Sequence, residues 1–232
     1  MPLISGSAQQ AQTAHSRARR LRLQFLNCEY AAGLLDTARM DDSEIIRVPP
    51  VVEAIEHDTQ RMGFTMASAR RTGSLLRILA AAKPAGRFLE LGTGTGIGTA
   101  WLLAGMDSSS KLDSVDRDST VQEIAKRHLD DDCRVMFHVA DGEQFLAKAR
   151  NPYDLIFADS WAGKFNHLDE ALSLLRVGGI YFIDDLLPQP NWPEDHAGKV
   201  AALVNNLESR KEFEITKLDW ASGLLILVRK AL

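Results

Sequence analysis

From Met66 onward, short runs that are apolar at nearly every position alternate with stretches whose apolar residues recur every three or four positions. The first pattern suits a strand buried on both faces, the second a helix lying on such a sheet. Their alternation predicts a mostly parallel, Rossmann-like α/β sheet with helices on both faces. Strands are expected over 87–91, 112–115, 134–139, 153–158 and 180–183. Between them fall a helix over 97–106, one opening at Ser119 with Gln122 as a capping box, and one over 142–150. A further helix carries Leu168, Ala171, Leu172 and Leu175 and is closed by Gly178 and Gly179. After a last helix over 196–207, strands 213–218 and 224–228 are joined by five residues, too few for a crossover helix, so they pair antiparallel.

The part before Met66 reads differently. Residues 1–14 are small and polar, and 15–35 form a helical pattern in which Arg17, Arg19, Arg20 and Arg22 overlap Leu21, Leu23, Phe25 and Leu26. That helix is a surface element with a solvated basic face, or else a dimer or lid helix. The acidic stretch 36–44 reads as a loop, and Pro49 and Pro50 open another helix that runs through Glu56 and beyond. The division expected is an N-terminal tail and helical arm over 1–65 and a ligand-binding domain over 66–232.

Composition narrows this only slightly. With 232 residues, 45% hydrophobic and 25% charged, the chain is an ordinary globular protein, and its net charge of -4 lacks the basic footprint of a nucleic-acid binder. Cys28 and Cys133 match no metal-ligand spacing and are too few to staple a secreted scaffold. No apolar run is long enough to span a membrane. A soluble, cytoplasmic protein without nucleic-acid or membrane partners is expected, with the arm leaving a homodimer open.

The candidate chemistry starts where strand 87–91 carries Glu90 and runs into Gly92, Thr93, Gly94, Thr95 and Gly96 before a helix. Such a loop lets a ligand approach backbone without side-chain obstruction. The dinucleotide frame G-x-G-x-x-G/A fits from none of the three glycines, since its last position falls on Ile97, Thr99 or Trp101, which disfavours a nicotinamide oxidoreductase. Asp116 ends the next strand, where a carboxylate can accept from both hydroxyls of a ribose. Asp141, in Ala140-Asp141-Gly142, is placed either to meet an adenine amino group or to cap the following helix.

The motif E-x-G-x-G-x-G, followed by Asp116 and Asp141, resembles the class I S-adenosylmethionine-dependent methyltransferases. In that family the acidic residue, here Glu90, lies near the cationic methionine end of the cofactor. The stretch from Tyr153 to Asp185 further resembles the metal-dependent O-methyltransferases of the catechol and caffeoyl-CoA types. There, an Asp ending the fourth strand and an Asp-Asn pair ending the fifth hold a magnesium ion. Asp159 matches the first, and Asp184 with Asp185 stands at the pair; Asp159-Ser160-Trp161 is similar to the catechol enzymes' Asp-x-Trp, and Met66 to their cofactor-contacting methionine.

The resemblance implies methyl transfer from S-adenosylmethionine to a hydroxyl of a small molecule, with Asp159, Asp184 and Asp185 as ligands of Mg2+ or another divalent cation. A hard cation so held would lower the pKa of a bound hydroxyl. Two positions depart from the family: its catalytic lysine falls where this chain has Ala162, with Lys164 two residues on, and Asp185 replaces its asparagine. The alternatives are Asp184 and Asp185 as loop caps, a metal-independent methyltransferase acting on nitrogen or on a protein, or a silent cofactor-binding partner subunit. Trp161 and Trp192 are candidates to flank a flat acceptor, and His167 and His196 are expected at the surface near this edge.

Overall fold

The computed structural model describes residues 41, 42, 45, 47–189 and 193–231. The expectations for the tail, the basic helix and Trp192 lie outside these residues. Residues 45–232 belong to one compact unit.

Seven strands form one sheet in the order β3-β2-β1-β4-β5-β7-β6. These are β1 (Arg87–Leu91), β2 (Lys111–Asp116), β3 (Val135–Val139), β4 (Tyr153–Ala158), β5 (Leu175–Ile183), β6 (Phe213–Leu218) and β7 (Leu224–Arg229). The first five run parallel, while β7 lies antiparallel between β5 and β6. Strand side chains alternate between two cores, as a period of two demands. Phe88, Leu155, Phe157 and Phe182 face one layer, with α1 (Pro50–Met62), α2 (Arg70–Ala81), α3 (Ile97–Gly105) and α4 (Ser119–Leu129) supplying Ile55, Leu76, Trp101 and Ile124. Leu89, Leu91, Ile156 and Ile183 face the other, with α5 (Gly142–Lys148), α6 (Leu168–Ser173) and α7 (His196–Glu208) supplying Leu146, Leu172 and Leu207. No helix among the described residues is long and apolar enough to cross a membrane.

The structure corrects two local expectations. The cap of α4 is Asp118, whose carboxylate accepts from the backbone N–H groups of Thr120 and Val121, and not Ser119. Gln122 is buried and donates instead to Thr93 Oγ1 and the His138 carbonyl. Helix α6 stops at Ser173, and Gly178 and Gly179 lie inside β5, where the register with β4 slips between the Tyr153–Leu175 and Leu155–Ile180 pairs. Gly178 takes a φ of 75°, so these glycines shape an irregular strand entry and do not end a helix.

Candidate active site

The glycine loop sits at the carboxyl ends of β1 and β4. Gly92, Gly94 and Gly96 all have positive φ, at 106°, 52° and 94°. A Cβ on Gly92 would stand 2.5 Å from the carbonyl oxygen of Asp159, and one on Gly96 would stand 2.6 Å from the Cβ of Ala125. The loop is therefore pressed against β4 on one side and α4 on the other. Asp116 braces it: one carboxylate oxygen accepts from the N–H of Gly94 at 2.8 Å, the other from Asp118 N at 2.9 Å. Thr93 points beneath the loop, where its hydroxyl meets Ser114 Oγ at 2.7 Å.

Glu90 also lies beneath the loop, with 1% of its surface exposed. Thr99 and Ser114 donate their hydroxyls to its Oε2. Burial pushes its pKa to about 8, against the pull of those two donors. Asp141 caps α5 by accepting from Glu143 N and Gln144 N, which leaves its position beyond β3 as expected.

The connection between α1 and α2 passes over this loop. Met66, within it, is 66% exposed. Two residues of the same connection that carry no sequence motif make the contacts: Phe64 lies against Gly94, and Ser68 Oγ donates to Asp159 Oδ2 at 2.8 Å. The chain is aimed there by Gly63, whose left-handed conformation ends α1. Thr59 on α1 adds a hydrogen bond of 2.8 Å to Thr95 in the glycine loop.

Beyond Asp159 the carboxyl ends of β4 and β5 gather charge. Asp159, Asp184 and Asp185 act on one another, so that burial first and mutual repulsion second hold the Asp159 carboxyl well above the usual range. The same causes raise Asp184 to about 6. Lys164 counters them from the tight turn that starts at Trp161, whose carbonyl accepts from the N–H groups of Lys164, Phe165 and Asn166. Gly163, at a φ of 78°, permits this turn, and the buried Lys164 reaches back to donate to the Asp184 carbonyl at 2.7 Å.

Two of those carboxylates accept hydrogen bonds within the protein. Asp184 accepts from Ser222 Oγ and from Asp185 N, and Asp159 accepts from Ser68. Among the described residues no three His, Cys, Asp or Glu side chains converge on a point where an ion could be held. As arranged, the trio does not fit a metal-ligand set.

Two aromatic residues and a histidine wall this edge. Phe165 stands edge-on to Trp161 at 5.7 Å and to His196 at 5.3 Å, and Lys199 lies 4.1 Å above the Trp161 ring. His196, expected at the surface, is 4% exposed because α7 packs its first turn against Phe165. His167, at the start of α6, stands beside Glu143 and Glu170 at the protein's rim and not in this cluster.

A family model described as a methyltransferase domain matches residues 89–186, the stretch from the glycine loop through Asp185. A protein of Mycolicibacterium vanbaalenii named "Putative O-methyltransferase" is 33% identical over 113 residues, which cover 46% of this chain and 50% of that one. The chain thus spans about half the length of the curated relatives it matches. In fold it resembles the O-methyltransferase TomG of Streptomyces achromogenes, solved with S-adenosylmethionine, at a TM-score of 0.71 and 19% identity over 82% of this chain and 94% of that one. The methyltransferase PaMTH1 of Podospora anserina, solved with S-adenosylhomocysteine, matches at 0.71 with 15% identity over the full length of both chains. The solved structures thus share this chain's fold, and residues 89–186 are similar to a methyltransferase domain.

Proposed function

We propose that the protein transfers a methyl group from S-adenosylmethionine to a hydroxyl of a small molecule. The observation that carries this is the seam between the glycine loop and Asp159. Gly92 packs on the Asp159 carbonyl with no room for a Cβ. A ligand lying along Gly92–Gly94–Gly96 therefore ends beside the carboxylates at the close of β4 and β5. Gly94, Asp116 and Asp141 offer the backbone and carboxylate groups suited to an adenosine, and the acidic edge suits a ligand end that carries positive charge.

When bound, S-adenosylmethionine supplies a methyl group on a sulfonium, already a good leaving group. The residues of this chain have the remaining tasks of aligning the acceptor, shielding it from water and favouring loss of its proton. Trp161 and Phe165 offer apolar surface for a flat acceptor, next to the Lys164 ammonium. The relatives named as O-methyltransferases support hydroxyl over nitrogen as the acceptor group. No step is assigned to a metal ion, given that Asp159 and Asp184 are hydrogen-bonded within the protein and that no three ligand side chains converge among the described residues.

Calorimetry tests the cofactor: S-adenosylmethionine and S-adenosylhomocysteine are expected to bind with a stoichiometry of one, and a nicotinamide dinucleotide to give no heat. A screen of catechols, other phenols and amines, run with magnesium and with a chelator, tests the acceptor. Transfer to phenols that is indifferent to the chelator is the expected result. Transfer only to amines would overturn the hydroxyl assignment, and dependence on magnesium would restore the metal.

A further inference from the structure

We propose that the protein holds a second binding site, independent of the methyl-transfer reading, for a small organic acid whose carboxylate is carried on a flat ring. The site is a groove of about 510 Å3 lined by α5, β2, β3 and the first residues of β1 and β4. It shares no residue with the glycine loop or with the acidic edge at Asp159. Arg87 and Tyr153 open β1 and β4, so the floor lies towards the amino ends of these strands, away from the cofactor loop. The gap follows from lengths: α5, with seven residues, spans about 10 Å, while β3 before it spans roughly 16 Å. So short a helix leaves part of the face uncovered.

The uncovered floor is polar where the rest of that layer is apolar. Asp113 accepts from Arg87 and from the Tyr153 hydroxyl, each at 3.0 Å, and His138 Nε2 lies 3.0 Å from its other oxygen. Burial, and then the Asp113 charge, raise the Tyr153 pKa, which keeps its hydroxyl a donor. Arg87 also lies 5.5 Å above the Tyr153 ring. The charges of Arg87 and Asp113 therefore cancel within the floor.

The rim leaves a positive excess. Lys148 and Arg150 line the groove, and neither forms an ion pair among the described residues. The carbonyl end of α5 would repel an anion, but Arg150 covers it by donating Nη1 to the carbonyls of Ala147 and Ala149. An acid at the rim thus meets two positive side chains, and the one carboxylate in the lining, Asp113, is already paired. The walls suit a ring. Phe145 stands 5.1 Å from the His138 ring, and Met136 on β3 is 62% exposed. A groove of this volume takes a two-ring ligand.

The test titrates 2-naphthoate and its neutral counterpart, 2-naphthamide, into the full chain by calorimetry. The acid is expected to bind with a Kd below about 1 mM, and the amide roughly fivefold more weakly or worse. Added salt should weaken the acid and leave the amide unchanged. Lys148 and Arg150 are exposed, so a double variant carrying Lys148→Glu and Arg150→Glu should melt like the parent yet bind the acid at least tenfold more weakly. Met136→Glu, which adds a carboxylate at an exposed position of the groove, should weaken it likewise and serves where the double variant melts early. Amide shifts on binding should fall at residues 136, 138 and 148. Shifts confined to residues 92–96 would place the acid in the cofactor site and overturn the proposal. Equal affinity for acid and amide, affinity unchanged in the folded variants, or no heat up to about 5 mM overturns it as well.

Discussion

Glu90 shows how a single position combines a motif's sequence with a different physical role. A carboxyl near 4.5 in the unfolded chain and about 8 in the folded one favours folding while it is protonated. Its contribution is full below about 4.5 and is lost as the pH rises through 8, because the ionised form must then be held in a buried site. Glu90→Gln keeps the neutral shape, so its melting temperature should vary less than the parent's between pH 5 and 8 and should exceed it above pH 8. Thermal melts across that range check the sign. Gly92 carries the complementary expectation. Gly92→Ala places a methyl against the Asp159 carbonyl at a φ of 106°, which should destabilise the protein by about 1–3 kcal/mol and weaken S-adenosylhomocysteine binding at least tenfold, read by calorimetry. The glycines were legible in the sequence because their requirement is local and steric. Lys164 and His196 could be named from the sequence, but their burial together around Phe165 could not, since it depends on a turn permitted by Gly163 and on how a helix about thirty residues later docks.

At the scale of elements, period and apolarity located the strands, and chemistry at their ends was harder to read. Two acceptors, Asp118 just before α4 and Ser119 at its first position, stand in sequence, and both are residue types that cap helices. The capping-box spacing pointed to Ser119 because Gln122 follows three residues later. Burial of Gln122 against Thr93 and β3 removed that partner, and Asp118 took the free N–H groups. Asp118→Ala should therefore cost about 1 kcal/mol and Ser119→Ala a few tenths at most, measured by denaturant titration of the two variants. A similar tertiary effect governs the segment after α6. Two consecutive glycines commonly follow a helix, yet here β5 needs them to enter the sheet out of register with β4. The pattern of Leu168, Ala171, Leu172 and Leu175 did not mark the boundary, because Leu175 is buried equally well by a strand.

For the whole molecule, the sheet order explains where the domain must begin. Alternation starts at the residues before β1, which is why the sequence suggested a domain from Met66. The core starts earlier: Val52 and Ile55 on α1 are fully buried in the layer with Leu76 and Trp101, and Thr59 holds the glycine loop through Thr95. The helix itself was expected from Pro49 and Pro50, but a strand-helix count could not assign it to the core, because it adds no strand. Two fragments separate the possibilities. A chain beginning at Ile45 retains every one of these contacts and is expected to melt cooperatively and to bind S-adenosylhomocysteine. One beginning at Met66 loses two buried aliphatic side chains, together worth about 3–6 kcal/mol, and the brace on the loop. That is a large part of the 5–15 kcal/mol typical of a whole domain. It should melt far lower or not fold, with cofactor binding lost. Equal melting temperatures and affinities for the two fragments would mean that α1 is an appendage of the sheet and the cofactor loop stands without it.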